Sequence, residues 1–509
     1  MHVKYLTPDE QLLVDPTGKG RAAIESMKAG RPTPVPSIFS DYNREEAFTQ
    51  WNALAHRIVG HNSKHQWLLE VDDSYMKKCG AQGARCDLSV IQEHYLHSYS
   101  NAKYRPRYNL VRIGRSYLLR LVKDLIARYG VPSPNPAYRG TVGTSGALPT
   151  MQSKGSFLAE TVNMTPWRHV FPNLPGQRAQ RNAFRCINQD ACSNVRYVEE
   201  LFARVRDWFK KYLPSLTAAW INPELELGPR LYSHILRRHE TVEGDFSACD
   251  EHTSLEEAQF ILPIFELLLD PMEYAKLAAY VEEAFYQPIY FGAYMWVGKH
   301  NALSGQVLVS DLETYYDMCL QIGAILSVCP GRLADFDIFQ LGDDMLIIGS
   351  MSASLQLELR DALVEEATLN GHVMHPAKCR LGKDGTVAFL KRHYTCHLRP
   401  AVNCRGEFFM HGHYPLTLAL NSCRNPERYE PDPVKQWGEL LQRLDNTYGS
   451  PLFLPFVQFV GSSTKKDLRP TYDQLCDVQI EDWWSRLYGI SWKPDASPAF
   501  HALVRSKIL

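Results

Sequence analysis

Two groups of carboxylates are spaced for chemistry. Asp245 and Asp250 lie five residues apart in Asp245-Phe246-Ser247-Ala248-Cys249-Asp250, and Asp343 and Asp344 are adjacent in Gln340-Leu341-Gly342-Asp343-Asp344-Met345-Leu346. Neighbouring carboxylates at a turn repel one another unless a cation sits beside them. Mg²⁺, with Mn²⁺ as a substitute, takes a few carboxylate oxygens and keeps positions open for phosphate oxygens. Two such ions activate an attacking hydroxyl and neutralise a leaving phosphate, so the pattern points to two-metal phosphoryl transfer. In that reading Asp245 and Asp343 bridge the ions and Asp344 supports them. Asp250, past the strand end, is placed to accept a hydrogen bond from a ribose hydroxyl. Either acidic group alone is equally a surface turn; the weight lies in having both, each at the end of a strand-like run.

The elements that must position these residues are legible nearby. Thr241–Phe246 reads as a short strand ending at an acid, and Ser254-Leu255-Glu256-Glu257 has capping-box spacing that opens a helix. After Ser304-Gly305, Leu308, Leu312, Tyr315, Tyr316, Cys319 and Ile322 recur at helical spacing. The Gly-Asp-Asp hairpin follows, then an amphipathic helix from Ser354 to Asn370 closed by Gly371. Lys383-Asp384-Gly385 signals a turn before a last strand, Val387–Leu390. Strand, helices, hairpin, helix and strand make a split βαβ sheet with helices on one face. Such a sheet brings Asp245 beside Asp343 and Asp344, about a hundred residues away in sequence.

Bulk properties set limits. The chain has 509 residues, 45% hydrophobic, with a net charge of −1, so a nucleic-acid surface has to be local rather than global. Residues 101–130 carry eight Lys and Arg against one acid, interleaved with Tyr. They read either as the wall of an RNA channel or as the solvated basic face of a helix. No signal-peptide pattern and no membrane-length apolar window is present. The twelve Cys are scattered without a disulfide framework. His393, Cys396, His397, Cys404, His411 and His413 are of zinc-binding type, but irregular spacing and the lack of a Cys-x-x-Cys pair speak against a zinc site.

In order, Asp245–Asp250, Ser304-Gly305, Gly342-Asp343-Asp344 and Phe389-Leu390-Lys391-Arg392 resemble motifs A, B, C and E of viral RNA-dependent RNA polymerases of the picornavirus-like supergroup. His375-Pro376-Ala377-Lys378 is similar to motif D, whose Lys is proposed to protonate the leaving pyrophosphate. Arg178, Arg181 and Arg185 resemble motif F over the incoming triphosphate, and Gly143-Thr144-Ser145-Gly146 resembles the template-entry motif G. The resemblance spans about residues 140–395. It implies an α+β right hand closed by bridging between fingers and thumb. The N-terminal bridge and fingers take residues 1–240, with a fingers insertion at 262–303. The palm takes 241–261 and 304–394, and the thumb and C-terminal segment 395–509. It further implies RNA-directed RNA synthesis on an RNA template from NTPs, with Ser304, Gly305, Arg178, Arg181 and Arg185 on the nucleotide. Thr144, Ser145, Gly146, Lys391 and Arg392 lie on template or primer by the same implication. A viral capsid protein as partner, and a place in the host cytoplasm or the virion, go with it. The length suits a stand-alone enzyme, similar to those of picobirnaviruses and partitiviruses.

The chain departs from the family pattern in motif B. Val309 stands where a Thr is usual, and the usual Asn is replaced by Ser310 in partitivirus-like spacing or Glu313 in picornavirus-like spacing. Ser310 is preferred here, because a Glu beside Asp250 would repel it. A reverse transcriptase-like enzyme is the competing catalytic reading, and a non-enzymatic RNA-binding protein the other. The small polar Asp250, where reverse transcriptases place an aromatic gate, favours ribonucleotides. Initiation mode stays open, and Ser491–Leu509 reads either as a platform in the active-site cavity or as a thumb tail.

Overall fold

The computed structural model describes the chain apart from residues 30–36, 41–43, 61–62, 77–78, 80–87, 99–106, 135–147, 150, 152–170, 181–182, 191, 217–222, 427–429 and 479–491. At its centre is a four-stranded antiparallel sheet in the order Phe336–Leu341, Asp344–Gly349, Glu240–Asp245, Arg380–Gly382. The first strand in sequence and the second run parallel with the third between them, which is the split βαβ arrangement. Period-two alternation divides the apolar residues between two faces. Val242, Ile338 and Ile347 join one core with Ile261, Phe265, Leu312, Tyr315, Ile322, Leu359 and Leu363 from helices Leu255–Leu268, Val309–Val328 and Ala353–Leu369. Phe339, Leu346 and Ile348 pack on the opposite face against Leu227, Leu231 and Ile235 of helix Pro223–Leu236. Helices therefore cover both faces, whereas the sequence pattern showed only the crossover side.

Two expectations about elements change. The edge strand is Arg380–Gly382, not the run beginning at Val387. Asp384 and Gly385 both take positive φ, 54° and 72°, and turn the chain out of the sheet. Val387–Phe389 then pairs with Arg392–Tyr394 in a hairpin of its own. The buried Glu243 holds that hairpin to the sheet: its carboxylate accepts from both Arg380 Nη1, at 2.9 and 3.0 Å, and Ala388 N at 2.8 Å.

The second change concerns the basic segment. Helix Leu110–Tyr129 crosses the central helix Val309–Val328 at a glycine contact on each side. A Cβ on Gly114 would lie 1.8 Å from the Cys319 carbonyl oxygen, and one on Gly323 would lie 1.9 Å from that of Leu110. Thr314, Asp317 and Gln321, which face the sheet, lie on the other side of the central helix from Cys319 and Gly323. Arg112, Arg120 and Lys123 are exposed on the outer face of the crossing helix. The central helix thus stands between them and the carboxylate hairpin, and the solvated-face reading holds for this helix.

Residues near the N-terminus pack with the C-terminal part. Phe39, Trp51, Leu68 and Leu69 share a core with Leu420, Trp437, Leu441, Phe456, Val460 and Leu503. Helix Pro498–Arg505 lies in this core. Its cap, Ser497, donates to Asp445 Oδ1 at 3.0 Å, and Ala499 N donates to the same oxygen at 2.8 Å. The described end of the chain is therefore packed against helices Pro433–Asp445 and Phe453–Ser462.

Candidate active site

The sheet register sets Asp245 directly opposite Asp344 across the paired strands, with Asp343 at the adjoining turn. Gly342 opens that turn at φ 57°, a left-handed value that glycine adopts without strain. Its N–H donates to Thr314 Oγ1 at 2.9 Å and its carbonyl accepts from Gln340 Nε2 at 2.8 Å. All three Asp are partly exposed. Among the described residues, no three His, Cys, Asp or Glu side chains are arranged to hold a metal ion. The backbone brings the predicted carboxylates together at two adjoining strand ends.

The loop after Asp245 is held against the Lys378 segment. Phe246 bridges Met374, Ser247 N donates to the Val373 carbonyl at 2.8 Å, and Lys378 Nζ donates to Ser247 Oγ at 2.8 Å. The exposed Lys378 ammonium is thus held two residues along the chain from Asp245, next to the carboxylate edge. Ala248 takes φ 53°, and this left-handed step starts the short helix Cys249–His252 that carries Asp250. The Asp250 carboxylate accepts from Glu251 N at 3.1 Å.

The two candidates for the motif B Asn, Ser310 and Glu313, stand in different surroundings. Ser310 is exposed in the first turn of the central helix. Glu313 is buried, and its carboxyl is pushed well above the carboxylate range, by burial first and then by the charges of Asp343, Asp250 and Glu257. Its Oε2 would lie 3.5 Å from a Cβ on Gly342, and its Oε1 has no hydrogen-bond partner. The repulsion argument assumed an ionised Glu, and burial among carboxylates disfavours that charged form.

Ser304-Gly305 is seated on the strand end at Asn188. Asn188 N donates to the Ser304 carbonyl at 2.6 Å, and Gly305 stands at φ 99°. Tyr95 Oη donates to Asn188 Oδ1 at 2.6 Å. Nearby Asp190 accepts from Tyr280 Oη at 2.6 Å, Gln287 Nε2 at 3.2 Å and Val307 N at 3.1 Å. Asn188 and Asp190 were not singled out from the sequence; no motif or spacing marks them, and their role exists only through contacts with distant segments. The strand ending in Asn188 and Gln189 pairs Arg178 opposite Arg185 in the hairpin Leu174–Gln180 and Ala183–Gln189, so the arginines sit on extended backbone. Arg181 and the motif G residues Thr144, Ser145 and Gly146 lie outside the described residues.

The Leu390-Lys391 turn has two consecutive left-handed residues, φ 50° and 63°. Non-glycine residues there are uncommon and cluster at functional sites. Lys391 is exposed at the tip. Arg392, beside it, is half-buried and bonded within the chain. Its guanidinium donates to the Gly412 carbonyl at 3.1 Å and to the carbonyl and side chain of Asn446 at 3.2 and 3.1 Å. It ties the hairpin to the C-terminal part. Tyr75, from helix Gln66–Met76, also reaches this region. Its phenol is pushed up to about 12, by burial first and then by charges that include Asp344 and Asp245. In the His/Cys group, His393 and His413 pair through their backbones, and burial lowers them to about 4 and about 3.

Neither a protein-family model nor a curated protein matches the sequence. Solved structures do. The RNA-dependent RNA polymerase of a human picobirnavirus aligns over 91% of each chain with a TM-score of 0.70 at 17% identity. An insertion-loop deletion mutant of a human picobirnavirus RNA-dependent RNA polymerase aligns over 99% of this chain and 100% of its own, with a TM-score of 0.74 at 16% identity. The central sheet, the helices on it and the packing of the N-terminal segment on the C-terminal core thus build the fold of a viral RNA-dependent RNA polymerase.

Proposed function

We propose that this chain is an RNA-directed RNA polymerase that extends an RNA strand 5′ to 3′ on an RNA template. The observation that carries the reading is the juxtaposition of Asp245 with Asp344, Asp343 at the same turn, and the Lys378 ammonium held on Ser247 beside them. The palm is residues 241–261 and 304–394, built on the four-stranded sheet, and the core shared by residues 38–69 and 416–503 is the contact that closes the hand. The donor set fits Mg²⁺ or Mn²⁺ in kind: hard carboxylate oxygens at two adjoining strand ends, with few enough ligands to leave room for phosphate. Asp245 and Asp343 would hold the ions with Asp344 assisting; when bound, they lower the pKa of the attacking 3′-hydroxyl and neutralise the triphosphate.

The protein's own groups do the rest. Arg178, Arg181 and Arg185 clamp the phosphates, where planar guanidinium groups match phosphate oxygens. Asp250 and Ser310 recognise the ribose, with the buried Glu313 as the alternative partner of Asp250. The 3′-oxygen bonds to the α-phosphorus as its hydroxyl proton leaves to solvent water; the bond from the α-phosphorus to the bridging oxygen breaks, and Lys378 supplies a proton to the departing pyrophosphate. The test is single-nucleotide extension of a primed RNA template with purified protein and Mg²⁺. NTP incorporation that is lost in Asp343→Ala, with an unchanged circular dichroism spectrum, is the expected result. A wild-type chain that extends nothing, or prefers dNTPs, overturns the reading.

A further inference from the structure

The carboxylate turn is gripped by a fully buried polar network that the proposed mechanism does not use. Thr314, Asp317 and Gln321, on the sheet-facing side of the central helix, and Gln340, on the strand before the turn, are each 0% exposed. Thr314 Oγ1 accepts from the Gly342 N–H at 2.9 Å and donates its own proton to the Ser310 carbonyl. Gln340 Nε2 donates to the Gly342 carbonyl at 2.8 Å and to Asp317 Oδ2 at 3.2 Å, while its side-chain carbonyl accepts from Gln321 Nε2. Both peptide groups of Gly342 are thereby fixed by side chains. Polar groups are costly to bury unless satisfied, and apolar residues would fill the same space more cheaply. A network that directs these bonds to the one residue preceding Asp343 acts on the direction of that carboxylate. The central helix starts a few residues after Ser304-Gly305, so the same helix also feels the loop seated on Asn188.

We propose that Thr314 and Gln340 are positioning residues: they lock the Gly342 peptide and so set where the Asp343 carboxylate stands relative to Asp245 across the sheet. Neither touches substrate. The inference rests on the polymerase reading for its kinetic consequence, but not for its metal-binding one. Outer partners of metal ligands typically change metal affinity or activity by about 10- to 100-fold when removed.

The experiment compares wild type, Thr314→Val, Thr314→Ser and Asp343→Ala. Mn²⁺ binding is measured by electron paramagnetic resonance, and single-turnover nucleotide addition is measured well below the melting temperature of each protein. Thr314→Val is expected to weaken Mn²⁺ binding toward the Asp343→Ala background by roughly 10-fold or more, and to slow the maximal addition rate by a similar factor. The NTP concentration for half-maximal rate is expected to stay within about twofold, because ground-state binding is untouched. Thr314→Ser, which keeps the hydroxyl, is expected to restore both. A Thr314→Val protein with wild-type Mn²⁺ affinity overturns the inference, as does one that loses affinity without rescue by Ser. A wild-type chain that binds Mn²⁺ but adds no nucleotide overturns the polymerase reading instead, and the metal titration still decides the role of Thr314.

Discussion

Replacing Gly305 with Ala tests how the nucleotide loop is mounted. Gly305 stands at φ 99°, where an L side chain is strained by roughly 1–3 kcal/mol. The larger effect is steric. A Cβ there would lie 2.2 Å from the Asn188 carbonyl oxygen, with the Asn188 carbonyl carbon and nitrogen at 3.2 and 3.3 Å. All three atoms are backbone, and the peptide concerned already donates its N–H to Ser304. No flexible side chain can yield, so the Ser304-Gly305 loop must lift off by roughly 1 Å, and a displacement of that size can cost on the order of 100-fold in rate. Gly331→Ala separates the two effects: Gly331 has φ 83°, and a methyl added there would meet nothing within 4 Å, so it carries the backbone strain without the collision. Both variants should melt a few degrees below wild type. Pre-steady-state addition of one nucleotide should be slowed about 100-fold in Gly305→Ala and hardly at all in Gly331→Ala. A Gly305→Ala enzyme within about threefold of wild type, roughly 0.7 kcal/mol of barrier, refutes the loop-on-Asn188 argument.

The remaining expectations are simpler. Lys378→Leu should slow the chemical step by roughly 10²- to 10⁴-fold if its ammonium delivers the proton to pyrophosphate, and an unchanged single-turnover rate removes that role. Asp72, buried beside the start of helix Leu416–Arg424, is raised from 3.8 to about 7, chiefly by burial, and the nearby His413 is held neutral by burial as well. Between pH 4 and 7 the folded state therefore binds a proton that the unfolded state releases, so this group's contribution to stability falls as pH rises through that window. Melting temperatures of Asp72→Asn should match wild type below about pH 4 and exceed it by a growing margin as pH rises, reaching by pH 8 an amount that reflects a few kcal/mol. Equal pH slopes for the two proteins would show that Asp72 does not titrate in this range.

The carboxylates and their supporting strands were readable because they obey local rules. A strand that buries alternate residues writes its period into the sequence, and Asp at a strand end or Gly before a turn is chosen for local chemistry. The same logic exposed the capped helix at Ser254, whereas Lys378 came only through the resemblance to motif D. Local rules failed where an outcome depended on surroundings. The edge strand moved from Val387 to Arg380, because a turn signal states that the chain bends but not which strand keeps its partner. Arg392 enters through the resemblance to motif E; only the folded chain shows that its guanidinium also bonds to Gly412 and Asn446.

Composition and spacing by themselves determined the reaction class to propose, the order of the sheet-forming segments and most of the acidic residues that meet. Tertiary structure alone decided which partner each polar group has. Glu313 illustrates the reason. Its chemistry as an ionised acid or a proton-bearing one is set by burial and by Asp343, Asp250 and Glu257, and three of these four influences come from parts of the chain that sequence order keeps well apart from it. Periodicity records which way a side chain points; it carries no record of the electrostatic field that the fold assembles around it.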